Sequence, residues 1–204
     1  MQEANRITLA ITGASGLPYS LRLLECLIAA HKQISFLMSQ AAHMVAALEM
    51  DLKLPSSPDK LQNYLCSQYN ASPQQLKVYG MNQWTAPIAS GSNVDDAMVV
   101  CPCTSGTLAA IANGMSDNLI SRAADVVIKE QKKLILVPRE MPFSALHLEN
   151  MLKLARQGVV ICPPNPGFYH KPQTIGDLVD FVVARILNHL GIKHSLQESW
   201  GSEL

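Results

Sequence analysis

Apolar positions in this chain fall into short runs, separated by longer segments in which they recur every three or four residues. Residues 7–12 are a β-rich apolar run closed by Gly13-Ala14-Ser15-Gly16, which predicts a buried strand and a turn. In residues 17–31, Leu21, Leu24, Leu27 and Ile28 share one helical face. The alternation continues, with strands predicted at 34–38, 76–79, 97–101, 134–137 and 159–162. Helices are predicted at 40–49, 104–113, 119–130, 144–157 and 174–190, with Gly114, Gly158 and Gly191 as stop signals. Between 51 and 73 the chain is polar and bears prolines, and only moderate helix content is expected there. Strands separated by helices imply a parallel sheet covered on both faces. Without repeats or low-complexity tracts, residues 1–204 are expected to form one doubly wound α/β domain. Ligands of such sheets bind beyond the carboxyl ends of the strands, so the residues after each strand are where function should lie.

Composition narrows the function classes. The chain is 48% hydrophobic and 16% charged, and its formal net charge is +0. Disorder is excluded, because it needs low hydrophobicity with high net charge. A nucleic-acid partner is not expected, because no basic excess exists to neutralise phosphates. An uncharged, apolar-rich surface is relieved by a homo-oligomer that hides it. No apolar run reaches the roughly 18 residues of a membrane span, and Glu3 stands where a signal peptide carries basic residues. Five cysteines without such a signal suggest reduced thiols and a cytoplasmic protein. Cys101 and Cys103 lack a second Cys/His pair, so no metal is expected and they read as small buried residues at a strand end.

Four strand ends carry unusual chemistry. Gly13, Ala14, Ser15 and Gly16 lie between a strand and a helix start, where free N–H groups suit a phosphate; an ordinary tight turn is the alternative. The dinucleotide fingerprint G-x-G-x-x-G is absent, and the second strand ends in Ser39 rather than a ribose-reading acid. Both absences favour FMN over NAD or FAD. Thr104, Ser105, Gly106 and Thr107 offer hydroxyls and amides at another helix start, as ligand groups or as plain N-caps. Arg139 and Glu140 follow an apolar strand side by side, a pairing harder to explain as surface. The loop from Pro163 to Tyr169 is stiffened by three prolines, and its aromatics either close over a ligand or simply face water.

Helical positions add charge. Arg122 and Lys129 are seven residues apart and share a face. Arg185 interrupts an apolar run, either snorkelling at an edge or gripping an anion; taken alone, snorkelling is the simpler reading. Glu49 closes the second helix, where exposure is the usual fate.

The strings Ala86-Pro87-Ile88-Ala89-Ser90-Gly91-Ser92, Pro102-Cys103-Thr104-Ser105-Gly106-Thr107-Leu108, Asp117-Asn118-Leu119-Ile120-Ser121-Arg122-Ala123-Ala124-Asp125, Leu136-Val137-Pro138-Arg139-Glu140 and Phe168-Tyr169 occur in this order. Together they resemble the UbiX/Pad-type flavin prenyltransferases over nearly the whole chain. The resemblance implies a flavodoxin-like, homo-oligomeric flavoprotein, with trimers assembled into a dodecamer and sites built between subunits. It implies transfer of a dimethylallyl group from dimethylallyl monophosphate to reduced FMN, the prenylated FMN then serving a UbiD-type decarboxylase. It assigns Gly13, Ala14, Ser15, Ser39, Thr104, Ser105, Gly106, Thr107 and Arg139 to FMN. Ser90, Arg122, Lys129, Arg139, Glu140, Tyr169, Arg185 and Trp200 fall around the substrate.

The chemistry of the residues is consistent with that. Breaking a carbon–oxygen bond to phosphate leaves an anion, which clustered Arg and Lys stabilise. Trp84 can shield an allyl cation with its π face. Glu49 and Glu140 are candidates for proton handling. Asp95-Asp96 is the sole adjacent acidic pair, which does not suit the paired aspartate motifs that hold Mg²⁺ in prenyl diphosphate enzymes. Two rivals share the fold: an FMN-dependent cysteine decarboxylase and a non-catalytic FMN-binding subunit.

Overall fold

The computed structural model describes residues 3–197; Trp200 lies outside the described residues. Six strands form one parallel sheet: β1 (Arg6–Ile11), β2 (Gln33–Met38), β3 (Leu76–Tyr79), β4 (Ala97–Cys103), β5 (Lys133–Pro138) and β6 (Val160–Ile161). Their order is β3-β2-β1-β4-β5-β6. From β1 the chain winds outward through β2 and β3, then crosses back and winds the other way from β4. The direction reverses between β1 and β4, and their carboxyl ends frame the crevice in which such folds bind ligands.

The described residues form the helices α1 (Leu17–Ala29), α2 (Gln40–Met50), α3 (Pro58–Tyr69), α4 (Ser105–Ala112), α5 (Leu119–Lys129) and α6 (Ala145–Ala155) between the strands, and α7 (Ile175–Leu190) after β6. One core gathers Leu9, Leu24, Phe36 and Val99 with Val183 and Leu187 of α7; the other gathers Ala10, Val100 and Leu136 with Leu108, Ala123 and Leu154. Strands β1 and β4 thus bury both faces, and alternate residues along each go to opposite cores. Among the described residues, no helix is long and apolar enough to cross a membrane.

The doubly wound sheet matches the sequence expectation, with differences at two places. The 51–73 segment contains α3, a three-turn helix with Pro58 in its first turn and Asn70 closing it in the left-handed region. Its buried Leu61 and Leu65 form a narrow stripe, diluted by polar neighbours. Strand β4 runs through Pro102 to Cys103 instead of ending at Cys101, with an irregular register against β5 between Val100 and Cys103.

Candidate active site

At the carboxyl end of β1, Thr12 leads into Gly13, where a Cβ would stand 2.4 Å from that of Ala41. The missing side chain lets the turn pack against α2. Gly16 has φ 122, a conformation that favours glycine, and begins α1 without a side-chain cap. Of the first positions of α1, Pro18 has no N–H and the Tyr19 N–H donates to Gly16 O at 3.1 Å, which leaves the Leu17 N–H as a donor that no side chain caps. Ala14 is buried and Ser15 exposed.

Two more helices start beside this turn. Ser39 caps α2, its hydroxyl accepting from Ala42 N at 3.2 Å. Thr104 caps α4, accepting from Thr107 N at 3.1 Å and donating to Thr107 Oγ1 at 2.9 Å. Ser105 is partly buried and Gly106 exposed, with open space where its Cβ would be. None of α1, α2 and α4 has an acidic residue in its first turn. Three positive dipole ends thus lie near the β1 turn, none with an acidic residue of its own first turn.

Glu49 comes from the far end of α2. The Gly16 N–H donates to Glu49 Oε2 at 3.1 Å, so α2 touches the first turn with both ends. Exposure is indeed the state of Glu49, but its carboxylate is anchored. On the opposite side, Arg139 is exposed just beyond β5, and its N–H reaches Cys103 O at 3.3 Å. Glu140 follows, its Oε1 accepting from Met141 N at 3.3 Å.

A second group lies on α5. Arg122 donates through Nε to Ala89 O at 3.1 Å and through Nη1 to Asp125 Oδ2 at 2.8 Å. Lys129 pairs with Glu130, and both side chains lie where a Cβ on Gly91 would be. Ser90 is exposed, its hydroxyl 3.0 Å from that of Ser92. Ser90, Arg122 and Lys129 therefore share one surface, along the 87–93 segment. Their contacts are to that segment and to Asp125 and Glu130, not to the β1 turn.

The remaining positions lie on other elements. Trp84 is half exposed in the turn after β3. Tyr169 meets Phe181 edge-on at 5.7 Å, and Gly167 leaves the room, since a Cβ there would stand 2.6 Å from the Tyr169 ring. Arg185 is exposed on α7; burial raises the Cys162 thiol, and the charge of Arg185 opposes that rise. Cys101 and Cys103 are fully buried, as expected. Burial pushes the Cys101 thiol up to about 12 and raises that of Cys103 as well.

Asp95 and Asp96 are engaged elsewhere. Asp95 pairs with Arg6 at 2.9 Å and accepts from Thr8 Oγ1 at 2.8 Å. Asp96 accepts the N–H groups of Asn5 and Arg6, each at 3.0 Å.

Sequence reasoning named most of these positions but not their partners: Thr12 between the two turns, the Gly16 amide under Glu49, Asp125 beside Arg122, and Phe181 beneath Tyr169. Each partnership except that of Arg122 with Asp125 joins separate elements, and no periodicity encodes it.

A switch point of this kind, lined by helix starts and Gly-rich turns, defines a doubly wound protein built to hold a phosphate-bearing ligand. The family described as Flavoprotein matches residues 1–187. A flavin prenyltransferase UbiX of Pseudomonas aeruginosa is 55% identical over 203 residues, covering 100% of this chain and 97% of that protein. Another of the same name, from Methanocaldococcus jannaschii, is 43% identical over 197 residues, covering 97% and 99%. Among solved structures, AnUbiX (PadA1) in complex with FMN and dimethylallyl pyrophosphate superposes with a TM-score of 0.86 at 38% identity, covering 98% of each chain. A dodecameric FMN-dependent UbiX-like decarboxylase from Escherichia coli O157:H7 gives 0.83 at 38% identity, covering 97% of this chain and 100% of that one. The chain belongs to the UbiX flavin prenyltransferase family.

Proposed function

We propose that this chain transfers the dimethylallyl group of dimethylallyl monophosphate to reduced FMN, in a homo-oligomer whose sites are shared between copies. Full-length similarity to the Pseudomonas aeruginosa prenyltransferase carries the reading. The residues present suit a flavin mononucleotide. Gly13 has no room for a side chain, Gly106 faces open space, and the Leu17 N–H that opens α1 has no side-chain cap.

Gly13, Ala14, Ser15, Ser39, Thr104, Ser105, Gly106, Thr107 and Arg139 hold the FMN by this reading. The reduced flavin, when bound, supplies the nucleophilic ring positions. Arg122, Lys129, Arg139 and Arg185 bind the ester phosphate and stabilise the negative charge that grows on it as the carbon–oxygen bond breaks. Ser90 and Tyr169 orient that phosphate by hydrogen bonding, Trp84 covers the dimethylallyl carbons, and Trp200 is counted with the substrate-binding residues. Glu49 and Glu140 accept or return protons, Glu49 from its place on the Gly16 amide. The product serves a UbiD-type decarboxylase. Five free cysteines accord with a reducing compartment such as the cytoplasm.

The test is the mass and absorbance of the flavin recovered after incubation with reduced FMN and dimethylallyl monophosphate. Recovery of a flavin heavier by one dimethylallyl group supports the reading; unchanged FMN overturns it. The same assay after exhaustive EDTA treatment is expected to give undiminished product. Asp95 is committed to Arg6 and Thr8, and Asp96 to backbone amides, so neither is placed to hold Mg²⁺. Activity that returns only on adding Mg²⁺ would contradict that expectation.

A further inference from the structure

We propose that Thr12 is a positioning residue: it sets the separation of the β1 and β4 turns and thereby the affinity for FMN, without touching the ligand. The inference rests on the reading that these two turns hold the flavin.

The need for such a residue follows from the strand ends. The β1–β4 ladder is in register as far as Ala10 and Val100. Just beyond, β4 contains Pro102, which has no N–H to offer a neighbouring strand. Its register against β5 is irregular at the same place. The two strands would therefore part at the point where the site begins.

Thr12 joins them. Its N–H donates to Pro102 O at 3.2 Å, and its hydroxyl donates to the same carbonyl at 2.8 Å. The hydroxyl also accepts from Thr104 N at 2.8 Å. Thr104 is the residue that caps α4 and receives Thr107 N. One hydroxyl thus links Gly13 on one side to the start of α4 on the other. Only a group that donates and accepts at once can do this, which restricts the position to Thr or Ser among residues of this size. Thr12 is 3% exposed and its donor is already used, so it has no proton left for a ligand. Replacing it with Val keeps the volume but strands the part-buried Thr104 N–H, while the Pro102 carbonyl keeps only the backbone N–H of residue 12.

The experiment uses the intact oligomer and titrates FMN into wild type, Thr12→Val and Thr12→Ser, following flavin fluorescence. Thr12→Val is expected to weaken FMN binding about tenfold, the size of effect expected when buried groups lose a hydrogen-bond partner. Thr12→Ser should bring affinity back to within about threefold of wild type, because the hydroxyl returns. At saturating FMN, KM for dimethylallyl monophosphate should stay within about threefold of wild type, since the phosphate-binding Arg and Lys do not move. A merely structural role would lower the melting temperature without this split. Unchanged FMN affinity in folded Thr12→Val, or no recovery with Ser, overturns the proposal. If Thr12→Val does not fold, Thr12→Ala, which removes the hydroxyl without adding a methyl group, is judged by the same criteria. A wild-type chain that fails to bind FMN overturns both this proposal and the reading beneath it, whereas normal wild-type binding with unaltered variants overturns this proposal alone.

Discussion

Glu49→Gln is expected to keep FMN bound while product formation falls about 10²-fold or more, the usual scale for lost acid–base assistance. The substitution suits the question because the glutamine carbonyl can still accept the Gly16 N–H that now meets Glu49 Oε2 at 3.1 Å. Position is preserved and only the proton chemistry is removed. FMN affinity by fluorescence and product by mass spectrometry separate the two roles. Turnover near wild type would reduce Glu49 to an exposed helix-end acid. Lost FMN binding would mean that the carboxylate's charge, and not its proton, supports the first turn.

The second large effect is expected at Lys129. Removing one electrostatic partner from a developing anion commonly costs 10²- to 10³-fold, so Lys129→Ala should slow turnover on about that scale with FMN binding intact. Within one chain, Lys129 lies over Gly91 beside Glu130, whereas Glu49 sits on the Gly16 amide. Two separate groups in one chain can form one site only if copies share it. Co-assembled Glu49→Gln and Lys129→Ala chains should then recover activity that neither homo-oligomer has, because some sites draw both intact residues from different subunits. No recovery in verified mixed oligomers would place both residues of each site on one chain. The apolar residues left bare on α2, Met44 and Leu48, and on α6, Leu146 and Leu152, accord with a chain that meets its own copies.

The elements that sequence reasoning located best are those with a one-dimensional signal. Leu76–Tyr79 emerges residue for residue, and α7 ends at Gly191 as its pattern requires, with the glycine at φ 74. The pattern understates helix α3 because its two buried leucines sit among polar neighbours, although Ser57-Pro58-Asp59 ahead of them is a helix-start pattern. It ends β4 at Cys101, ahead of Pro102, which has no ladder donor; tertiary burial carries the strand two residues further. At the candidate site, the residues after β1, β4 and β5 are the ones that strand ends of a doubly wound sheet point to, whereas Glu49, Arg122, Lys129 and Arg185 lie on helices and enter through the resemblance. The bonds are not legible in either way. Thr12 and Thr104 are 92 positions apart, and Glu49 and Gly16 are 33 apart. Only the winding of the chain makes them neighbours.

The two buried cysteines of β4 have a consequence for how this protein ages. Reduced flavins react with dissolved oxygen to yield hydrogen peroxide, so sulfur beside the turns proposed to hold the flavin would stand in the path of an oxidant. Peroxide and alkylating agents attack the thiolate, not the thiol. With the Cys101 thiol pushed up to about 12 by burial, it stays protonated at neutral pH. The Cys103 thiol, buried and raised in the same sense, is also held in its unreactive form. Strand β4 thus packs small, polarizable atoms into the two cores up to its carboxyl end while leaving peroxide very little nucleophile to consume.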